Sequence, residues 1–259
     1  MRSTKGNTPG FLLLLFSLVS MLHSCREKAD AELRLSIHYT WNSDDFKLMH
    51  SYMLMEKRVE FEQVKFYMCR FYLQSESNSI GFFDEYMLFD AAQSEPVTVG
   101  KVEPGSFSSF GFSIGVDSSR NTQNGSLAIP AWEYPSTHPL SAAQEMYWAW
   151  NPGYIFLKIE GRIDIDENGA FDGVGETFSI HTGLNPGLRS LSRTGTILVE
   201  SGGPHILELN FDIAKVFDGY SLSGAKLNVH PLHTQSTDFM YAQQIMDNVE
   251  AAFVGWTMR

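Results

Sequence analysis

Between residues 33 and 39 the chain reads Leu-Arg-Leu-Ser-Ile-His-Tyr, apolar at every second position. A period of two sends alternate side chains to opposite faces of an extended chain, so this run predicts a half-buried strand. Residues 59–73 alternate in part and are rich in aromatics, and Tyr86-Met-Leu-Phe-Asp90 predicts their hairpin partner across the Ser- and Asn-rich turn at 75–81. Further short strands are predicted near 108–114, 155–163, 177–181, 195–200 and 205–213, with Gly or Pro in nearly every gap. Two stretches break this rhythm. Residues 117–145 are long, polar and Pro-interrupted, with Trp132, Tyr134 and His138 spaced through them, and such a loop in a compact domain is usually functional or disordered. Near the end, Tyr241, Ile245, Val249 and Phe253 recur every fourth residue behind Thr237 or Asp238 as N-cap, which predicts an amphipathic helix closing the chain. The expected fold is all-β, an antiparallel β-sandwich with long loops and one short C-terminal helix.

The first residues follow another pattern. Arg2 and Lys5 precede an apolar run over 11–22, and the segment ends Leu22-His-Ser-Cys25. The run is shorter than the roughly twenty residues a membrane span requires, and it has the order of a secretion signal. Its end resembles a bacterial lipobox, so residues 1–24 are expected to be a lipoprotein signal peptide, Cys25 the lipidated residue, 25–32 a tether and 33–259 a single β-sandwich domain. The expected location is the bacterial cell envelope, facing the periplasm or at the outer-membrane surface, with the membrane reached only through the lipid.

Composition then narrows the chemistry. The net charge of −11 becomes −13 without the leader, 17 basic against 30 acidic residues, which argues against nucleic acid as a partner. With Cys25 assigned to the anchor, Cys69 stands alone, so no internal disulfide or thiolate metal cluster is expected.

Four motifs carry candidate chemistry. Gly111-Phe-Ser113-Ile-Gly115 has the spacing of a serine-hydrolase elbow, but the following Val-Asp-Ser-Ser-Arg-Asn lacks the helical periodicity such an elbow needs. Asp164, Asp166 and Asn168, followed by Gly169, match the front half of a calcium loop. The twelfth position, where a bidentate Glu belongs, is Gly175, and Glu176 comes one residue late; a polar hairpin loop turning on Asn168-Gly169 is the simpler reading. Among the histidines, His38 and His181 sit near the ends of predicted strands, where sandwich strands share a rim, and His230-Pro-Leu-His233 offers another donor pair. Two imidazoles and a third N or O donor suit copper(II) or zinc, and the missing thiolates disfavour a closed structural zinc site. Trp148 and Trp150, two residues apart, present both rings on one face of an extended chain.

Three of these segments also form an ordered set: Phe-Gly-Phe-Ser-Ile-Gly-Val-Asp-Ser-Ser-Arg-Asn at 110–121, Met-Tyr-Trp-Ala-Trp-Asn-Pro-Gly-Tyr-Ile-Phe-Leu-Lys-Ile-Glu-Gly at 146–161 and Phe-Ser-Ile-His-Thr-Gly at 178–183. In that order they resemble the successive motifs of the MbnP-like copper-binding domain family, and the likeness extends to the strand bearing His38, to 66–73 and to Asp-Asn-Val-Glu-Ala-Ala-Phe at 247–253. The resemblance implies a periplasm-facing copper-binding protein, not an enzyme, whose partner is a MauG-like di-haem peroxidase that oxidises a tryptophan to kynurenine. It points to Trp148 and Trp150 as the residues open to that modification and to His181 as a ligand. Where some members follow the motif Asn with His, Asn121 is followed here by Thr122, and Glu145 and Tyr147 stand where Gly and Phe are common. The expected copper site is a rim of His38, His181 and His233. The competing expectation is a surface lipoprotein that binds a glycan or protein through Trp132 and Tyr134, without metal.

Overall fold

The alternation over 33–39 becomes β1 (Ala31–Trp41), where Ala31, Leu33 and Leu35 are buried and Glu32 and Arg34 face outward. Two short strands follow, β2 (Asp44–Asp45) and β3 (Ser51–Leu54), before the longest, β4 (Lys57–Gln74). The predicted hairpin forms between β4 and β5 (Ser79–Asp90), and β6 (Val97–Val102) and β7 (Gly105–Ile114) follow. After the long connection come β8 (Ile155–Ile163), β9 (Thr177–Gly183), β10 (Arg189–Val199) and β11 (Pro204–Asp212). A single turn of helix, α1 (Ile213–Val216), then β12 (Asn228–Val229), α2 (Thr237–Ala252) and β13 (Phe253–Met258) complete the order. This computed structural model describes residues 29–121, 129–148 and 153–259; the expected leader and Cys25 lie outside that range.

The strands form two sheets. In one, β13, β11, β1 and β2 lie in that order and β6 also pairs with β1; in the other the order is β10-β7-β4-β8-β9-β12, with β3 and β5 also on β4. One large core fills the space between them, joining Leu33 and Leu35 of β1 and Leu207 and Phe211 of β11 to Phe61, Phe66 and Phe71 of β4 and Ile180 of β9. The fold is therefore the expected all-β sandwich. Its sheets are mixed, because β1 runs parallel to β11 and β9 parallel to β12. Strands so far apart in sequence have no hairpin to force antiparallel pairing.

The predicted helix is α2, with two corrections. Its N-cap is Ser236, whose Oγ accepts from the Phe239 N–H at 3.1 Å. It ends at Ala252, and Phe253 begins a strand that pairs with β11. No helix among the described residues is long and apolar enough to cross a membrane.

A second core lies on the other face of the eight-stranded sheet. Tyr67, Cys69, Tyr86, Val116, Ala131, Leu140, Met146, Trp148, Tyr154 and Phe156 form it. The described part of the long connection, 129–148, is thus an ordered cover, tied down by Tyr67 Oη donating to the Pro139 carbonyl at 2.7 Å and Tyr154 Oη donating to that of Leu140 at 3.0 Å. Period two along β8 and β9 sends Leu157, Ile159, Phe178 and Ile180 to the inter-sheet core. Lys158, Glu160, Ser179, His181 and Gly183 are left on the outer face, beside this second core.

Candidate functional site

On that outer face β8, β9 and β12 lie side by side. Lys158 pairs with His181 and Glu160 with Ser179 across β8 and β9, while Asn228 and Val229 pair with Ser179 and Ile180 across β9 and β12. The residue after Val229 is His230, and this register sets it beside His181. The two imidazoles meet edge to face, with centroids 4.4 Å apart at 79°.

His181 is only 9 % exposed. Its Nε2 lies 2.7 Å from Glu160 Oε1 and 3.1 Å from Ser179 Oγ. An ionised carboxylate only accepts, so Nε2 carries the donated proton and, in the neutral ring, Nδ1 keeps its lone pair. That Nδ1 is buried and has no hydrogen-bond partner among the described residues. Leaving a buried polar atom unmatched costs about 1–3 kcal/mol, so a site that tolerates it invites a ligand. A histidine whose second nitrogen donates to a carboxylate is also how proteins orient a metal-binding imidazole.

Two groups around His181 titrate below their ordinary values. Hydrogen bonding from His181, opposed by partial burial and helped by the Lys158 ammonium 3.5 Å away, holds the Glu160 carboxyl down at about 2. Burial, reinforced by His181, lowers the pKa of His230, against the opposing pull of Asp238 and Glu160. Asp238, in the first turn of α2, accepts the His230 N–H at 3.0 Å and so fixes where β12 ends.

Trp148 is buried at the same face. A Cβ built on Gly183 would stand 2.7 Å from its Cη2 and Cζ3 and 2.8 Å from the Tyr154 carbonyl oxygen, so only glycine admits the indole there. Gly183 lies two residues beyond His181 on the same side of β9, which brings Trp148 against the strand that bears the imidazole. Trp150 and Cys25 lie outside the described residues.

The rim of His38, His181 and His233 is not assembled. His38 belongs to the five-stranded sheet, is exposed and pairs with Asp45 at 2.9 Å. His233 is exposed beyond β12, and its carbonyl accepts from the Ser236 hydroxyl. The shared strand-end rim fails because His38 and His181 lie on the outward faces of different sheets, with the core between them. The residues that do join His181 are His230 and Glu160. Glu160 had a sequence signal, since a β8–β9 hairpin places alternate positions 158 and 160 on the His181 face. His230 had none that set it above His233.

The remaining candidates separate cleanly. Ser113 lies within β7, 3 % exposed, its Oγ 2.8 Å from Ser190 Oγ, and the described residues directly behind the strand, 115–121, form no helix. Tyr134 stacks on His138 with centroids 4.2 Å apart, and Trp132 is 68 % exposed. Cys69 is a buried thiol whose pKa burial pushes up to about 12, inert as a nucleophile or soft ligand. Asp164, Asp166 and Glu176 place ligand oxygens within 4.8 Å of one another. Among the described residues no other three His, Cys, Asp or Glu side chains do so.

A family model described as MbnP matches residues 30–235 of the chain. Among solved structures, MbnP from Methylosinus trichosporium is similar at 14 % identity and a TM-score of 0.52, over 83 % of this chain and 87 % of that one. At that identity the likeness speaks for the fold alone. No curated protein matches the chain.

Proposed function

The chain belongs to the MbnP family, the match spanning residues 30–235, and from that premise we propose that it is a copper-binding protein of the bacterial envelope, tethered through a lipidated Cys25. The observation that carries the reading is the buried, unmatched Nδ1 of His181, oriented by Glu160 and lying beside His230. Copper would be held by His181 Nδ1 and His230. Imidazole nitrogens suit copper, and bound there it would supply a redox-capable centre to the envelope. Glu160 fixes the tautomer of His181, and the lowered pKa of His230 keeps that ring neutral and able to donate.

Trp148 is the described residue best placed for the oxidation to kynurenine expected of a di-haem peroxidase partner, because its ring packs on the His181 strand. Intact mass after co-expression with such a peroxidase would show the small gain of that conversion, and an unchanged mass would remove it.

Copper(II) titration of the purified protein, followed by calorimetry and by the nitrogen couplings in its paramagnetic resonance spectrum, tests the site. One equivalent should bind. His181→Ala and His230→Ala should each weaken binding at least about tenfold, a loss of about 1.4 kcal/mol or more, whereas His38→Ala and His233→Ala should not. Unchanged binding in both of the first two variants sinks the assignment. A second reading rests on Trp132, exposed and edge-on to Tyr147 at 6.4 Å, as an aromatic face for a glycan or protein; ligand-induced quenching of tryptophan fluorescence in metal-free protein would favour it.

A further inference from the structure

We propose that the loop between β8 and β9 is a calcium site, separate from the imidazole pair, with Asp164, Asp166 and Glu176 as its carboxylate ligands. Asp164 directly follows β8 and Glu176 directly precedes β9, and they are only 4 % and 3 % exposed. Their oxygens and one from Asp166 lie within 4.8 Å of each other.

Hydrogen bonds within the loop account for most of these oxygens, but not all. Asp164 Oδ2 accepts from the Gly169 N–H at 3.0 Å, while Glu176 accepts from Ile165 N–H at 3.0 Å and from Gly173 N–H at 2.7 Å. Asp164 Oδ1 is buried and has no partner among the described residues. The ion pairs of the described residues include none from Lys, Arg or His to these three carboxylates: Arg58 donates to the Gly169 carbonyl at 2.7 Å, and the Lys57 ammonium donates to the Ile165 carbonyl at 2.9 Å and pairs with Glu167. Two buried carboxylates crowded with the exposed Asp166, one oxygen unpartnered and no cation of the chain paired to any of the three, make a site that a bound cation would complete.

The chemistry of the donors selects the ion. Hard carboxylate oxygens on an adaptable loop suit Ca²⁺, whereas Mg²⁺ demands near-ideal octahedral geometry and keeps its waters. Asp164 and Asp166 stand at the first and third positions of the D-x-D-x-N-G pattern, and Gly169, at φ +88°, makes its sharp turn. Asn168 differs from the sequence expectation. Its Oδ1 accepts from the Ala170 N–H and its Nδ2 donates to Asp166 and Asp172, so it orders the loop, and Glu176, one residue late in the motif, takes the place of the ligand. A bound ion would staple the base of the β8–β9 hairpin, the two strands that carry Glu160 and His181.

The test is calcium titration of chelator-treated, copper-free protein by calorimetry, with thermal unfolding in parallel. One equivalent of Ca²⁺ should bind and raise the Tm, Mg²⁺ at the same concentration should not, and His181→Ala should leave calcium binding intact. Asp164→Asn, which keeps an acceptor for Gly169, should unfold in EDTA at or above the parent Tm yet lose the calcium-induced rise. Asp166→Asn, at an exposed position, should weaken calcium at least tenfold and decides the matter if the first variant fails to fold. No heat and no Tm shift in the parent, an equal response to Mg²⁺, or unchanged calcium binding in Asp166→Asn would overturn the proposal.

Discussion

Glu160 and His230 end in opposite charge states, but the groups around them hold both deprotonated, so both link stability to pH with the same sign. The Glu160 carboxyl titrates at about 2 in the fold, below its ordinary 4.5, chiefly because His181 hydrogen-bonds to it. On acidification the unfolded chain takes up that proton first, so the stabilisation is complete above about pH 4.5 and is lost as pH falls toward 2. Burial lowers His230 below 6.5, so it too is protonated first in the unfolded chain, and its contribution fades as pH falls from 6.5 through the folded value. Denaturant unfolding across this range should show stability declining below pH 6.5, with a second decline below 4.5 that flattens in Glu160→Gln. An acid limb unchanged in that variant would deny the Glu160–His181 hydrogen bond its role. At this scale His181 was legible, since strand periodicity placed it and the motif drew attention to it. Its partner was not, because His230 reaches it through a two-residue parallel pairing that leaves no periodic trace.

Among the elements, β4 carries the most: over its 18 residues it pairs with β3 and β8 along its first half and with β5 and β7 along its second. Its contact with β8 is close enough to dictate sequence. A Cβ on Gly161 would stand 2.0 Å from the Glu60 carbonyl oxygen, a backbone atom that no rotamer change can move. Gly161→Ala should therefore lower the denaturant midpoint by the equivalent of about 1–3 kcal/mol or more, with an unchanged m-value. Gly105→Ala, where the nearest atoms are 3.9 Å away, should stay within about 0.5 kcal/mol. A Gly161→Ala variant as stable as the parent would show that β8 can shift along β4. The long strands were legible because one face of each is apolar. The two-residue strands carry too few positions for a period, and β13 was hidden because Phe253 continues the four-residue spacing of α2. The outer core over 129–148 was equally hidden, since its aromatics sit on turns, where neither period applies.

Across the whole molecule, the family match ends at residue 235, but the core does not. Ala242, Ile245, Met246 and Val249 of α2 are essentially inaccessible in the inter-sheet core, and Thr182 Oγ1, on the strand of His181, donates to Met246 Sδ at 3.1 Å. Phe253 packs on Phe66, Phe112 and Phe211, and Trp256 stands edge-on to Phe110 at 5.4 Å, so β13 joins both sheets. It also pairs with β11 from Leu207 opposite Met258 to Phe211 opposite Phe253, with one register shift after Asn210. Burying Ile245, Met246, Val249 and Phe253 contributes roughly 1.5–3 kcal/mol each, a sum comparable with the 5–15 kcal/mol by which whole domains are stable. Without residues 236–259, β11 would become an open edge with an apolar face, the kind of strand that recruits other chains. A chain ending at 235 should therefore aggregate, or stay soluble only without a cooperative urea transition. A soluble, cooperatively unfolding product would mean that the matched region is a complete folding unit and that α2 and β13 only cover it.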